Sequence, residues 1–403
     1  MTVAVSGSRA LMVLGAHRSG TSALAGVIQR LGVDLGDHLL PPQPGVNERG
    51  FWEHSDVVAL DDRLLHAMGS RWDSIHPLTA DAWKSPAVEA ISEELAAVVK
   101  TEFGNSQLWG LKDPRLCRLL PLWLDILSKV DCEPSFIIIS RNPLEVAESL
   151  ARRDQMELPR ALTVWLQHML DAELYTRDYP RTIISYSMLL KDWRETMRVV
   201  GDNLSLRWPI GIEQAAGDID AFLDRALCHH HHTDTDLAGL PAWVEDVYTS
   251  LHNAAQSGDE GLQSKLDIIR REYQAAESFF APSLRSREQQ FHQIESEFIN
   301  ACKMIQDKEA AEAQLLKGLR EVEHGFKQAV DMLTERDAQL AECNALLTGP
   351  VRALAETLRE WKQEGRADQE PDAEVLETGE DDDKAYESVI DVRVSNNAHT
   401  HLY

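Results

Sequence analysis

Apolar residues in the first 200 positions form short continuous runs separated by longer amphipathic stretches. The four runs are ALMVLG at 10–15, LWGLK at 108–112, SFIIIS at 135–140 and RTIISY at 181–186. Short, almost wholly apolar runs are typical of strands buried on both faces. The clearest segments with apolar residues three and four apart are 21–32, 116–130 and 143–154. This helical spacing between strands predicts an α/β domain with a parallel sheet and flanking helices.

A different periodicity begins near Leu251, where glycine and proline become sparse. Counting in sevens from Phe291 to Leu347, eight of nine positions are apolar, whereas the companion positions three residues later are weaker. A sustained seven-residue repeat favours a long helical coiled coil with a narrow seam, and hence a homo-oligomer. The alternative is a helix that folds back on the globular domain.

The patterns divide the chain into three regions. Residues 1–250 are predicted to form the α/β domain, and 251–364 the helical, coiled-coil region. Residues 365–403 have a strong acidic excess and few large apolar side chains. Because such a segment buries too little surface to order itself, we expect a disordered tail, with a docking tail as the alternative.

Charge and composition exclude several classes of function. The 403 residues carry a net charge of −26, which disfavours general binding to nucleic acid or to an anionic membrane. Any anionic ligand therefore needs a local basic site. Five cysteines without a CxxC pair predict neither a disulfide framework nor a zinc site. No stretch approaches 18 apolar residues, so we expect no membrane span and a cytoplasmic location.

The first candidate site is GAHRSGTS at 15–22, between the first strand and the first helix. Gly15 and Gly20 have the GxxxxG spacing of a phosphate-binding loop, but Thr21 stands where a nucleotide triphosphatase has lysine. The cation inside this loop is Arg18. A helix N-terminus preceded by such a turn attracts an anion, although a purely structural turn remains the alternative.

A second candidate follows the third strand in SRNPLEVAES at 140–149. Arg141 ends that strand, and Ser149 lies eight residues later, about two helical turns along. Ligands of open α/β folds bind at the carboxyl ends of the strands. We therefore expect both motifs to face the same anionic ligand.

Together, HRSGTS at 17–22 and R-N-P-x-x-x-x-x-S at 141–149 resemble the motifs of sulfotransferases that use 3′-phosphoadenosine 5′-phosphosulfate (PAPS). The resemblance covers about residues 10–245 and includes a later Y-x-x-L-L-x-D pattern at 186–192. His17 departs from the proline frequent in the family. The resemblance implies a P-loop NTPase-like sulfotransferase fold, PAPS as co-substrate, and metal-independent in-line transfer of a sulfuryl group to a hydroxyl.

The same resemblance implies residue roles. Arg18 would contact the oxygen that bridges phosphate and sulfate, and Arg141 and Ser149 would hold the 3′-phosphate. Four loop residues would hold the 5′-phosphate: Ser19, Gly20, Thr21 and Ser22. A planar guanidinium suits these roles because it binds two phosphate oxygens and stays charged.

The general base is less well defined. The segment NERGFWEHSDV at 47–57 resembles N-x-x-G-[FY]-[FW]-E of bacterial members, so Glu53 is the first candidate. Glu48 and His54 are the next candidates. Each of the three is alternatively a solvated loop residue.

Two further polar clusters have open interpretations. Lys112 and Asp113 in WGLKDPR either face the ligand edge of the sheet, as K-D-P segments of bacterial and tyrosyl-protein members imply, or form a buried pair. Arg115 is a candidate contact for substrate or cofactor. The run His229–His232 lacks the i, i+4 spacing that converges on one ion, so a loop lining the site is favoured and no metal is predicted.

Three functions remain from the sequence. The first is a PAPS-dependent sulfotransferase, and the alternatives are a P-loop kinase for a small molecule and a coiled-coil scaffold on a degenerate α/β domain. For a sulfotransferase, a long coiled coil suggests assembly with polysaccharide-synthesis proteins, so a glycan is the favoured acceptor. Small metabolites and lipids stay open.

Overall fold

The structure is a computed structural model. It describes residues 7–43, 47, 50–79, 81–223, 237 and 239–364. Three sequence-based expectations therefore lie outside the described residues. They concern Glu48, the run His229–His232 and the acidic tail 365–403.

The centre of the globular part is a four-stranded parallel sheet with the strand order β2-β1-β3-β4. The strands are β1 (Ser8–Leu14), β2 (Leu108–Lys112), β3 (Cys132–Ser140) and β4 (Arg181–Ser185). Alternate side chains of β1 enter two separate hydrophobic cores, with Met12 on one face and Leu11 on the other. Burial on both faces explains the nearly continuous apolar runs. The predicted parallel sheet with flanking helices is confirmed.

Helices cover both faces of this sheet. Those of the described residues are α1 (Thr21–Arg30), α2 (Ser55–Ala67), α3 (Pro86–Phe103), α4 (Leu116–Lys129), α5 (Pro143–Asp154), α6 (Leu158–Tyr175), α7 (Tyr186–Lys191), α8 (Trp193–Asn203), α9 (Ile212–Phe222), α10 (Ala242–Ser257) and α11 (Leu262–Glu364). Helices α1, α7, α8 and α9 contribute to the core on one face. Helices α2 to α6 and α10 contribute to the core on the other. None of the described helices has the length and apolarity needed to cross a bilayer.

The first turns of α11 belong to the globular core. Leu262, Leu266 and Ile269 are buried there, and Arg270 pairs with Glu173 of α6 at 3.0 Å. The chain separates into two compact units, Met1–Ile299 and Asn300–Tyr403. Cutting the chain just after residue 251 would therefore remove core side chains, so oligomerisation is better tested by substitutions than by truncation. The domain boundaries given from the sequence stay predictions.

The later part of α11 carries the seven-residue repeat on an exposed face. The apolar residues at that spacing are all more than half exposed: Phe291, Phe298, Ile305, Leu319, Phe326, Leu333, Leu340 and Leu347. The long helix expected from the sequence is confirmed. The pairing of this helix into a coiled coil stays a prediction. It is favoured because an apolar stripe along a helix is usually buried against another helix.

We expect the double variant Leu319→Glu/Leu333→Glu to lower the oligomeric mass seen by light scattering. Two charges on the seam would have to be buried without partners in a coiled coil, which is costly. The matched control is Gln314→Glu/Gln328→Glu, which adds the same charge outside the seam of the same helix. A wild-type chain that is already monomeric, or a seam variant with unchanged mass, would contradict self-association through this face.

Candidate functional site

The phosphate-loop candidate follows β1 directly and packs closely against β3. A Cβ atom on Gly15 would lie only 2.6 Å from the carbonyl oxygen of Ile139, so this position requires glycine. The Gly15 N–H donates to the Sγ atom of Cys117 at 3.2 Å. Burial raises the pKa of Cys117 to about 12. Cys117 is therefore a neutral thiol that supports the loop and not a nucleophile.

The backbone of the loop contains two left-handed positions, Arg18 at φ 68° and Gly20 at φ 94°. Glycine adopts this conformation freely, but for arginine it costs about 1–3 kcal/mol, and such residues cluster at functional sites. The Arg18 side chain extends from this strained turn to Ser149 in α5. A strained arginine in a turn before a helix N-terminus is well suited to hold an anion.

Tyr186 closes one side of this turn. It begins α7, immediately after β4, and its ring packs on Gly20, where an added Cβ would lie 2.2 Å from the ring atom Cδ2. The guanidinium carbon of Arg141 lies 4.7 Å from the centroid of the same ring. The sequence drew attention to this segment through its Y-x-x-L-L-x-D pattern, but the pattern gave no contact for Tyr186.

We expect Gly20→Ala to destabilise the protein and to abolish anion binding at the loop. The left-handed backbone and the clash with Tyr186 together predict a loss of about 1–3 kcal/mol in the free energy of unfolding. The matched control is Gly217→Ala in α9, where an added Cβ meets nothing within 4 Å. That control should be stabilised by about 0.5–1 kcal/mol. Denaturant unfolding measures both values, and equal effects of the two substitutions would contradict this role of Gly20.

The two sequence motifs meet at the carboxyl edge of the sheet. The Nε atom of Arg18 donates to Ser149 Oγ at 2.8 Å, and the Nη1 atom of Arg141 donates to the Arg18 carbonyl oxygen at 3.1 Å. Arg141 also donates through Nε to Glu145 at 2.6 Å. Residues 18, 141 and 149, predicted to hold one ligand, are thus in direct contact. Their roles toward that ligand stay predictions.

Positive charge converges on this edge of an otherwise acidic chain. Burial, together with the neighbouring guanidiniums of Arg153 and Arg141, lowers the pKa of Arg18 from its usual value. Arginine remains charged even so. Because like charges held together are destabilising, an anion bound among them would be favoured. This is the local basic site that the net charge of −26 requires of an anion-binding protein.

Two polar side chains of the loop are buried without hydrogen bonds to other described residues. They are Ser19, through Oγ, and His17, through Nε2. The His17 ring packs at 4.4 Å from Trp72, and burial, aided by Arg115 and His168, lowers its pKa well below the usual value. His17 is therefore neutral at pH 7. Buried polar atoms are normally satisfied, so these two are suited to contact a polar ligand.

Lys112 and Glu53 form a buried ion pair against the loop. Lys112 ends β2 and donates to the Glu53 carboxylate, to Ser22 Oγ at 3.1 Å and to the Phe51 carbonyl oxygen at 3.1 Å. Burial raises the pKa of Glu53 above its usual value, and Lys112 acts in the opposite direction. Glu53 thus lies near the loop at residues 15–22. Lys112 pairs with Glu53 and not with Asp113, unlike the buried pair considered from the sequence.

Asp113 and Arg115 form a separate group. Arg115 donates through Nη1 to Asp113 at 3.0 Å and through Nε and Nη2 to Asp62 at 2.6 and 3.0 Å. Its described contacts are thus carboxylates of the chain itself. A contact of Arg115 with substrate or cofactor stays a prediction.

His54 does not share the environment of Glu53, although the two are adjacent in sequence. Its Nε2 atom lies 3.5 Å from Glu102 Oε1 in α3. Of the two described candidates for the general base, Glu53 is therefore the one that contacts Lys112 beside the loop. The proton-accepting role itself stays a prediction.

Comparison with known proteins gives only distant similarities. No family model and no curated protein matches the chain. Thirteen chains of solved structures match it. One is a sulfotransferase domain from the curacin biosynthetic pathway, with 17% identity and a TM-score of 0.31, covering 50% of this chain and 75% of that one. Another is a sulfotransferase domain from the Synechococcus PCC 7002 olefin synthase, with 17% identity and a TM-score of 0.33, covering 66% of this chain and 95% of that one. Similarities this distant do not define an activity.

Proposed function

We propose that this chain is a PAPS-dependent sulfotransferase that transfers a sulfuryl group to a hydroxyl acceptor. The observation that carries the proposal is the direct contact of Arg18 with Ser149 and Arg141. It joins the phosphate loop to the second motif at the ligand-binding edge of a parallel sheet. PAPS has one anionic group for each motif, at its 5′ end and at its 3′ end.

The residues present suit the two ends of this nucleotide. The 5′-phosphate is proposed to be held by the end of the loop and the start of α1, at Ser19, Gly20, Thr21 and Ser22. Arg141 and Ser149 are proposed to hold the 3′-phosphate. Arg18, the cation of the loop, is proposed to contact the oxygen that bridges phosphate and sulfur.

In the proposed reaction the acceptor hydroxyl oxygen attacks sulfur, and the bond from sulfur to the bridging oxygen breaks. The products are a sulfate ester and adenosine 3′,5′-bisphosphate, whose 5′-phosphate takes the bonding electron pair. Arg18 stabilises this developing charge. Lys112 adds a second cation beside Ser22. Glu53 is proposed to accept the hydroxyl proton, and no step requires a metal.

The kinase alternative receives less support from the site. It needs lysine at position 21 and a carboxylate that can hold Mg²⁺ near the loop. Two carboxylates of this region, Glu53 and Asp113, are paired with the cations Lys112 and Arg115. These pairs compete with metal coordination. A nucleotide held without Mg²⁺ is therefore favoured.

A glycan hydroxyl is the acceptor that we propose, in the cytoplasm and in association with polysaccharide-synthesis proteins. The support is the long helix with an exposed apolar repeat, which suits assembly with other chains. Small metabolites and lipids are the competing acceptor classes.

The experiment that tests the proposed activity is transfer of ³⁵S-labelled sulfate from PAPS to panels of oligosaccharides, small alcohols and phenols, and hydroxylated lipids. We expect a labelled ester in the oligosaccharide panel and equimolar release of adenosine 3′,5′-bisphosphate. A labelled ester in another panel would contradict the glycan assignment alone. Phosphate transfer from ATP to any panel, with no sulfate transfer, would contradict the sulfotransferase assignment.

A further inference from the structure

A second polar cluster lies beside the Glu53 segment and takes no part in the proposed transfer. Leu39 forms an antiparallel bridge with His54, the Leu40 N–H donates to the Glu53 carbonyl oxygen at 2.8 Å, and the Ser55 N–H donates to the His38 carbonyl oxygen at 2.7 Å. These bonds bring His38 and His54 together. Glu102, the second-last residue of α3, lies against both rings.

The ligand atoms of these three residues have the spacing of a metal site. His38 Nδ1 lies 3.3 Å from Glu102 Oε2, and His54 Nε2 lies 3.5 Å from Glu102 Oε1. Zinc bonds of about 2.0–2.2 Å at a tetrahedral angle separate neighbouring ligand atoms by about 3.4 Å. Each imidazole faces a different oxygen of Glu102, and one ligand atom from each residue lies within 4.8 Å of the others, so the cluster is compact enough to surround a single ion.

His54 supplies an independent indication of a ligand. Its side chain is 1% exposed, and neither ring nitrogen makes a hydrogen bond with the described residues. A buried imidazole normally has a hydrogen-bond partner. An ion coordinated by Nε2 would satisfy the nitrogen that faces Glu102.

The surrounding backbone holds the carboxylate in place. The Asp37 N–H donates to Glu102 Oε1 at 2.5 Å. Gly36 has φ 81°, and a Cβ there would lie 2.8 Å from Glu102 Oε1 and 3.0 Å from His54 Cδ2. Hydrogen bonds of this kind orient the ligands of metal sites. The His38 side chain is 65% exposed, which leaves a path for an ion to enter.

We propose that His38, His54 and Glu102 bind a divalent transition metal of the zinc class, with a remaining position open to water. Two imidazoles and one carboxylate suit zinc, whereas calcium and magnesium prefer ligand sets made of oxygen. None of these three ligands belongs to the run His229–His232, which lies outside the described residues. A bound ion would link the segment that carries Glu53 to α3 and so stabilise the fold.

Spectroscopic titration with Co²⁺ tests this site in the full chain. The four-histidine run is first replaced by His229→Gln, His230→Gln, His231→Gln and His232→Gln, so that it cannot bind the ion. We expect one equivalent of Co²⁺ to produce the visible absorption of a four- or five-coordinate ion, and Zn²⁺ to displace it. Excess Zn²⁺ should also raise the Tm.

Two ligand variants in the same background provide the decisive comparison. His38→Ala and Glu102→Gln should each weaken Zn²⁺ binding at least about 10-fold, because even the loss of an outer partner of a metal ligand costs that much. The control His324→Ala removes an exposed histidine of α11 and should leave binding unchanged. The metal-free Tm and the far-UV circular dichroism of His38→Ala should match those of the parent. The absence of a Co²⁺ spectrum in the parent, or binding within twofold of the parent in both ligand variants, would overturn the site.

Discussion

Arg18→Ala should lower the rate of sulfuryl transfer from PAPS about 100- to 1,000-fold, the usual effect of removing one group that stabilises transition-state charge. Arg18 is the loop cation, and its guanidinium donates to Ser149 Oγ. The substitution also removes one of several clustered positive charges, so the protein should stay folded. Release of adenosine 3′,5′-bisphosphate measures the rate, with water or an identified hydroxyl compound as acceptor.

Two variants serve as controls for this prediction. Arg198→Ala removes an exposed arginine of α8 and changes the net charge by the same amount, so its rate should equal that of the wild type. Arg18→Lys keeps the charge but loses the planar pair of donors, so its rate should be intermediate. A near-normal kcat in Arg18→Ala, with the fold intact, would remove Arg18 from the proposed mechanism.

Arg141→Ala and Ser149→Ala should each reduce the preference of the protein for a nucleotide that carries a 3′-phosphate. Each substitution should weaken the binding of adenosine 3′,5′-bisphosphate far more than that of adenosine 5′-monophosphate. Only the bisphosphate has the 3′-phosphate that Arg141 and Ser149 are proposed to contact. A lost hydrogen bond to a charged group is worth about 1.5–3 kcal/mol, which corresponds to roughly 10- to 100-fold in affinity. Titration of both nucleotides against each variant gives the two ratios.

This comparison separates ligand contact from support of Arg18. Arg141 and Ser149 also form hydrogen bonds with Arg18. If they only supported Arg18, their substitution would weaken the binding of both nucleotides equally. Arg152→Ala, in the same helix as Ser149 and at an exposed position, is the matched control and should change neither affinity. Equal losses for the two nucleotides would show that residues 141 and 149 do not hold a 3′-phosphate.

Much of the fold was predictable because the relevant signals are local. Strands such as LWGLK are buried on both faces, so their sequence is continuously apolar, and the predicted limits 108–112 coincide with β2. The loop and the second motif were also identifiable, since both follow strands that end at one edge of the sheet. The loop and the second motif are far apart in sequence, but their proximity was predictable because the carboxyl ends of parallel strands lie together.

The rest of the site depends on contacts between distant segments. The Lys112 side chain bonds to Glu53 and Ser22, and Tyr186 packs on Gly20, yet no local periodicity links these positions. A charged residue at the end of a strand is expected to lie at the edge of the sheet, but the sequence does not show which residue it pairs with. The cluster of His38, His54 and Glu102 is likewise created by tertiary pairing, and no local spacing in the sequence links the three residues.

We propose that the carboxyl edge of the sheet binds a nucleotide with phosphates at both its 5′ and 3′ ends. Isothermal titration of the full chain with adenosine 3′,5′-bisphosphate, compared with ATP in the presence of Mg²⁺, tests it most directly. We predict binding of the bisphosphate at one site per chain without metal, and binding of ATP with Mg²⁺ that is at least about 10-fold weaker, given the value of a charge-assisted contact. Preferential binding of ATP with Mg²⁺, or no binding of the bisphosphate, would contradict this assignment of the site.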